Sequence, residues 1–110
     1  MKIASEPRGE CVLCRIEGEV NLSTSPELRR VFNDFVRDNV KKVVIDFSGV
    51  PYIDSSGLAT LIELLQRLKK INGSLRICCV PERVKNVFEI TKLHKLFEIF
   101  DDQASALENF

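Results

Sequence analysis

Residues 43–58 read VVIDFSGVPYIDSSGL, and this stretch decides the fold. Val43-Val44-Ile45 is an unbroken β-branched run. A strand with one wet face alternates apolar and polar residues, so an unbroken run marks a strand covered on both faces, as in a parallel sheet flanked by helices. Ser48 to Tyr52, with Gly49 and Pro51, reads as a loop. Asp54-Ser55-Ser56-Gly57 is a good helix-capping sequence. Beyond it, Leu58, Leu61, Ile62, Leu65 and Leu68 recur at helical spacing, the pattern of a long amphipathic helix. Asn72-Gly73 is its stop signal.

Working outward, residues 2–6 and 10–17 read as two strands separated by a Pro7-Arg8-Gly9 turn. Ser25-Pro26 starts a helix, with serine as N-cap and proline at the first helical position. Leu28, Val31, Phe32, Phe35 and Val36 form its apolar stripe, and Asp38-Asn39 its exit. Lys41 to Phe47 is the central strand. Downstream, Leu75 to Val80 reads as a strand and Pro81 opens a third helix carrying Val84, Val87 and Phe88. Leu96 to Phe100 reads as a last strand, and Gln103 to Phe110 as a closing helix with Leu107 and Phe110 facing inward. The order β-β-α-β-α-β-α-β-α predicts an α/β fold over residues 1–110 as a single domain. Its sheet is mostly parallel with one antiparallel N-terminal strand, packed against about four helices.

Composition narrows the function. The 110 residues carry 16 basic and 16 acidic side chains, so the formal net charge is zero. A dedicated nucleic-acid or membrane-surface binder needs a field that this balance does not supply. No apolar run reaches the ~20 residues of a membrane span. MKIASEPRGE lacks the apolar core of a signal peptide, so a cytoplasmic location is expected.

The residues that commonly carry catalysis are scarce. Cys11 and Cys14 have redox-motif spacing, but a strand sends i and i+3 to opposite faces, away from the helix start that such a motif uses. Cys78-Cys79 is equally strand-like. All four cysteines read as small hydrophobes, with no metal ligand set. His94, the only histidine, reads as a surface or helix-end residue, with no GxSxG elbow to make it part of a hydrolase. No glycine-rich phosphate motif is present. The residues alone leave open a thiol oxidoreductase through Cys11 and Cys14 or a serine hydrolase through Ser55, with no complete motif for either.

Ser48 to Ala59 is the candidate site. Open parallel sheets place ligand and partner sites at the carboxyl ends of strands, where Ser55 and Ser56 would stand. A phosphoserine carries about −1.5 to −2 charges, and a helix N-terminus offers N–H groups to receive it. Asp54 next door opposes that charge.

The segment Val43 to Phe47 followed by Ile53-Asp54-Ser55-Ser56-Gly57-Leu58 resembles the signature of the STAS domain, in particular the bacterial anti-sigma factor antagonists. Gly18 to Thr24 is similar to the family's loop after its second strand, and the resemblance runs over nearly the whole chain. It implies a partner-switching module. The unphosphorylated form binds an anti-sigma factor that is also a serine kinase, freeing the sigma factor. Phosphorylation of Ser55 then ends binding, and a serine phosphatase resets the protein. The chain would then be a substrate and binding partner, not an enzyme, with no cofactor of its own, and ATP and magnesium would belong to the kinase. Asn21, Thr24, Asp54, Ser55, Ser56, Gly57 and Leu58 are the partner-binding residues this implies. The family commonly has aspartate where this chain has Asn21. The same resemblance admits an alternative, a nucleotide or small-anion sensor in a signalling assembly.

Overall fold

The computed structural model describes residues 1–110. The hairpin β1 (Lys2–Arg8) and β2 (Cys11–Glu17) comes first, followed by α1 (Ser25–Arg37), β3 (Lys42–Gly49) and α2 (Ser55–Lys70). β4 (Ser74–Cys78), α3 (Glu82–Ile90), a 3-10 turn (Leu93–Lys95), β5 (Glu98–Phe100) and α4 (Gln103–Leu107) complete the chain. One five-stranded sheet runs in the order β1-β2-β3-β4-β5, antiparallel between β1 and β2 and parallel elsewhere. This is the α/β architecture that the order of patterns predicts.

Strand order equals chain order, and parallel crossovers keep one hand, so α1, α2 and α3 stack on the same face. Val43, Ile45 and Phe47 of β3 point into that layer, where they join a core of 21 buried residues that includes Leu28, Phe32, Leu61, Leu68 and Phe88. Each large side chain buried there contributes about 1.5–3 kcal/mol. Val44 points the other way, into a smaller cluster with Leu13, Cys78 and Ala106 under α4. The unbroken β-branched run of β3 is thus explained by a strand sandwiched between α1–α3 and α4. The two long helices are joined by a polar seam, in which Arg29 meets Glu63 at 3.2 Å and Arg67 meets Asn33 at 2.6 Å.

Local boundaries depart from expectation in four places. Pro7 and Arg8 lie in β1, and the turn is at Gly9, whose φ is +65°; proline is tolerated there because β1 is an edge strand. The N-cap of α1 is Thr24, which puts Ser25 and Pro26 at its first two positions. Asn21 causes the shift, its carbonyl accepting from the Ser25 N–H at 2.8 Å and so beginning the turn early. β4 stops at Cys78, because Cys79 takes a left-handed φ of +58°. α4 ends at Leu107 rather than Phe110, and Ala106 is its fully buried residue, with Leu107 and Phe110 half-buried beside it.

Candidate functional site

The site is built where β3 leaves the sheet. Asp54 is the N-cap of α2 and has extended backbone. Its Oδ1 accepts from the Ser56 N–H at 3.0 Å, the Gly57 N–H at 3.1 Å and the Ser56 hydroxyl at 2.6 Å. These contacts satisfy helix-start donors that would otherwise be unpaired. The Ser56 hydroxyl, joined by the Gly57, Ser56 and Leu22 amides, holds the Asp54 carboxyl below the usual carboxylate range.

The other Asp54 oxygen reaches across to a second loop, accepting from the Leu22 N–H at 3.2 Å. Backbone pairing fastens the same loop, with Val20 N–H on the Tyr52 carbonyl and Asp54 N–H on the Val20 carbonyl, both at 3.0 Å. Gly57 makes this approach possible. A Cβ there would stand 2.6 Å from Val20 Cγ1 and 2.7 Å from Ile53 Cγ1.

The second loop shapes itself. Asn21 Oδ1 accepts from the Ser23 N–H at 3.0 Å and the Thr24 N–H at 3.2 Å. The Thr24 hydroxyl donates to the Glu19 carbonyl at 2.8 Å and accepts from the Asn21 N–H at 2.9 Å. Only one Asn21 oxygen does this work, and aspartate could do the same. The Asn21 amide nitrogen, however, donates to Glu19 Oε2 at 3.4 Å. An aspartate would set two carboxylates against each other there.

The two serines differ sharply. Ser56 is tied to Asp54, and its oxygen lies 3.3 Å from that of the buried Ser25. Ser55 is exposed at the first position of α2, and its hydroxyl makes no hydrogen bond. Leu58 is buried in the main core, where it anchors the helix beneath the loop.

The STAS domain family model matches residues 2–106. The chain belongs to this family. An anti-sigma-B factor antagonist of Staphylococcus aureus is 31% identical over 85 residues, covering 77% of this chain and 79% of that protein. An anti-sigma factor antagonist from Mycobacterium paratuberculosis superimposes with a TM-score of 0.88 at 24% identity, covering 96% of this chain and 90% of that one. The antagonist SpoIIAA in its unphosphorylated form gives 0.74 at 15% identity, over 94% of this chain and 92% of that one.

This STAS domain therefore brings Asn21, Thr24, Asp54, Ser55, Ser56 and Gly57 together at one end of the sheet, with Leu58 beneath them. Ser25 and Leu22 are absent from the sequence-level set. Ser25 reads there as a cap, and its contact with Ser56 spans 31 positions. Leu22 is 77% exposed although both flanking segments are hydrogen-bonded. An apolar residue inside a polar loop motif is the signal that could have marked it.

Other candidates lie elsewhere. His94 is exposed on the 3-10 turn that leads into β5, 3.3 Å from the Phe88 carbonyl. Cys11 donates to the Arg8 carbonyl at 3.0 Å, and burial pushes the Cys14 thiol up to about 12. Burial also raises Cys78 and Cys79. The largest surface cavity, about 410 Å³, opens at the opposite pole beside Gly9, Cys11, Asn39 and Lys41. No helix is long and apolar enough to cross a membrane.

Proposed function

We propose that this STAS domain is a phosphorylation-switched anti-sigma factor antagonist, acting as one domain in the cytoplasm. In its unphosphorylated form it binds an anti-sigma factor with serine kinase activity, which releases the sigma factor. Phosphate on Ser55 ends that binding, and a serine phosphatase restores it. The chain contributes no catalytic group, ATP and magnesium belong to the kinase, and neither nucleic acid nor membrane is contacted directly.

One observation carries this reading: Ser55 presents an exposed, unpaired hydroxyl at the start of α2, beside a Ser56 hydroxyl that is already tied. Asp54 has taken the Ser56 and Gly57 amides, so a phosphate on Ser55 finds those donors spent. About −1.5 to −2 added charges then face the Asp54 carboxylate. A partner that covers this loop must desolvate both, which opposes docking. The same repulsion works against the Asp54 contact that holds Leu22. Leu22, apolar and exposed with its amide held by Asp54, supplies the anchor that the partner meets.

The test is incubation with the cognate anti-sigma kinase and magnesium-ATP, followed by peptide mass spectrometry. Native protein and Ser56→Ala are expected to take up phosphate at residue 55, and Ser55→Ala none. Equal uptake by Ser55→Ala would overturn the assignment.

A further inference from the structure

On an extended strand, adjacent side chains point to opposite faces. Cys78 and Cys79 do not behave this way. β4 ends at Cys78, and the left-handed step at Cys79 (φ +58°) turns its side chain back toward its neighbour's side. Cys78 Sγ, Cys79 Sγ and a carboxylate oxygen of Asp46 consequently lie within 4.8 Å of one another. A left-handed non-glycine residue costs roughly 1–2 kcal/mol. Here the Cys79 N–H is held by the Phe100 carbonyl at 3.3 Å.

Asp46 sits directly opposite Cys78 in the β3–β4 register and is 4% exposed. Its carboxylate is held in place by the Ser48 N–H at 2.8 Å and by the Gln103 side-chain amide at 2.5 Å. Each carboxylate oxygen has two acceptor directions, so both contacts leave one free. Outer contacts of this kind orient the ligands of metal sites. Cys78 is fully buried and Cys79 half-buried, so Cys79 forms the solvent side. Asp102, the N-cap of α4, adds negative charge nearby.

We propose that Asp46, Cys78 and Cys79 form a binding site for a zinc-class divalent cation, with a fourth coordination position open to solvent. Two sulfurs exclude calcium and magnesium, which take oxygen ligands. The carboxylate disfavours copper(I), which selects soft sulfur donors. Three protein ligands with one open position is a common zinc arrangement. As each sulfur–metal bond forms, the S–H proton passes to solvent, and no electrons are exchanged. The cation would join β3 to β4 and, through Gln103, to α4. This site is separate from the Ser55 loop and does not rest on the proposed switch.

The test uses the reduced, chelator-treated full chain titrated with Co²⁺. A sulfur-to-cobalt charge-transfer band is expected to saturate near about one equivalent and to vanish when Zn²⁺ is added. Cys79→Ser and Asp46→Asn should each weaken binding at least about tenfold, while Cys11→Ser leaves it unchanged. No charge-transfer band in the native chain, or an unchanged band in Cys79→Ser, would overturn the proposal. A second measurement needs no variant. Iodoacetamide labelling of the native chain at mildly alkaline pH, mapped by peptide mass, should show Zn²⁺ slowing Cys79 at least about tenfold with Cys11 unaffected. Equal Cys79 rates with and without Zn²⁺ refute the site.

Discussion

Replacing Asp54 with alanine should unfasten the candidate site from two sides at once. The residue accepts four hydrogen bonds, from Ser56 N–H at 3.0 Å, Gly57 N–H at 3.1 Å, the Ser56 hydroxyl at 2.6 Å and Leu22 N–H at 3.2 Å. Losing the cap of α2 costs about 1 kcal/mol. The Ser56 hydroxyl loses a charged acceptor in a partly buried place, which adds about 1 kcal/mol more. Water replaces the exposed Leu22 contact, at a cost of about 0.5 kcal/mol. The total, about 2.5 kcal/mol, lowers the melting temperature by roughly 10 °C at the ~4 °C per kcal/mol of a domain this size. Asp54→Asn keeps one acceptor oxygen for the helix and should lose about half as much.

The same variant carries a pH signature. The folded carboxyl is held below its unfolded value, so its stabilisation is complete above the unfolded pKa of about 3.9 and is lost as pH falls through the lower folded value. Urea denaturation of native protein and Asp54→Ala should therefore show a full gap at neutral pH that closes in acid. A neutral-pH difference under about 0.5 kcal/mol, the ordinary scatter of surface substitutions, would refute the capping account. So would a gap that keeps its neutral-pH size as the pH falls through the carboxylate range into acid.

Three further outcomes are expected. Gly57→Ala forces a Cβ to 2.6 Å from Val20 Cγ1 and 2.7 Å from Ile53 Cγ1, so denaturation should show a loss of about 1–3 kcal/mol. Leu22→Ala removes a side chain that is 77% exposed and should leave stability within about 0.5 kcal/mol; calorimetry against the anti-sigma partner should show at least about tenfold weaker binding. Cys14 is fully buried, with its thiol pushed up to about 12, so native alkylation followed by mass spectrometry should leave it unmodified until the chain unfolds.

Much of the candidate site is legible in the sequence. Asp54-Ser55-Ser56-Gly57 announces a helix start because caps act over two or three residues, within the reach of a sequence pattern. Which serine is free was not readable, because the partners of Ser56 include Ser25, 31 positions away. Nor was the role of Leu22, whose amide meets a carboxylate 32 positions on. The start of α1 shifted for a local reason, since the Asn21 carbonyl accepts the Ser25 N–H and the Thr24 carbonyl then accepts the Glu27 and Leu28 amides.

Hydrophobic period and turn chemistry are local, and they carried the strand–helix order, the parallel sheet and the helix-facing core. Side-chain spacing on a regular element depends only on its 2.0 or 3.6 residue repeat, so those features needed no distant information. The strand rule also predicted opposite faces for Cys78 and Cys79. It failed at the last residue of β4, where the φ of +58° at Cys79 is sustained by its hydrogen bond to Phe100 in β5. The clip from Asp54 to Leu22 and the grouping of Asp46 with the two cysteines exist only once separate strands and loops are in register. Their geometry is set by contacts between segments far apart in the chain, and no local pattern encodes those.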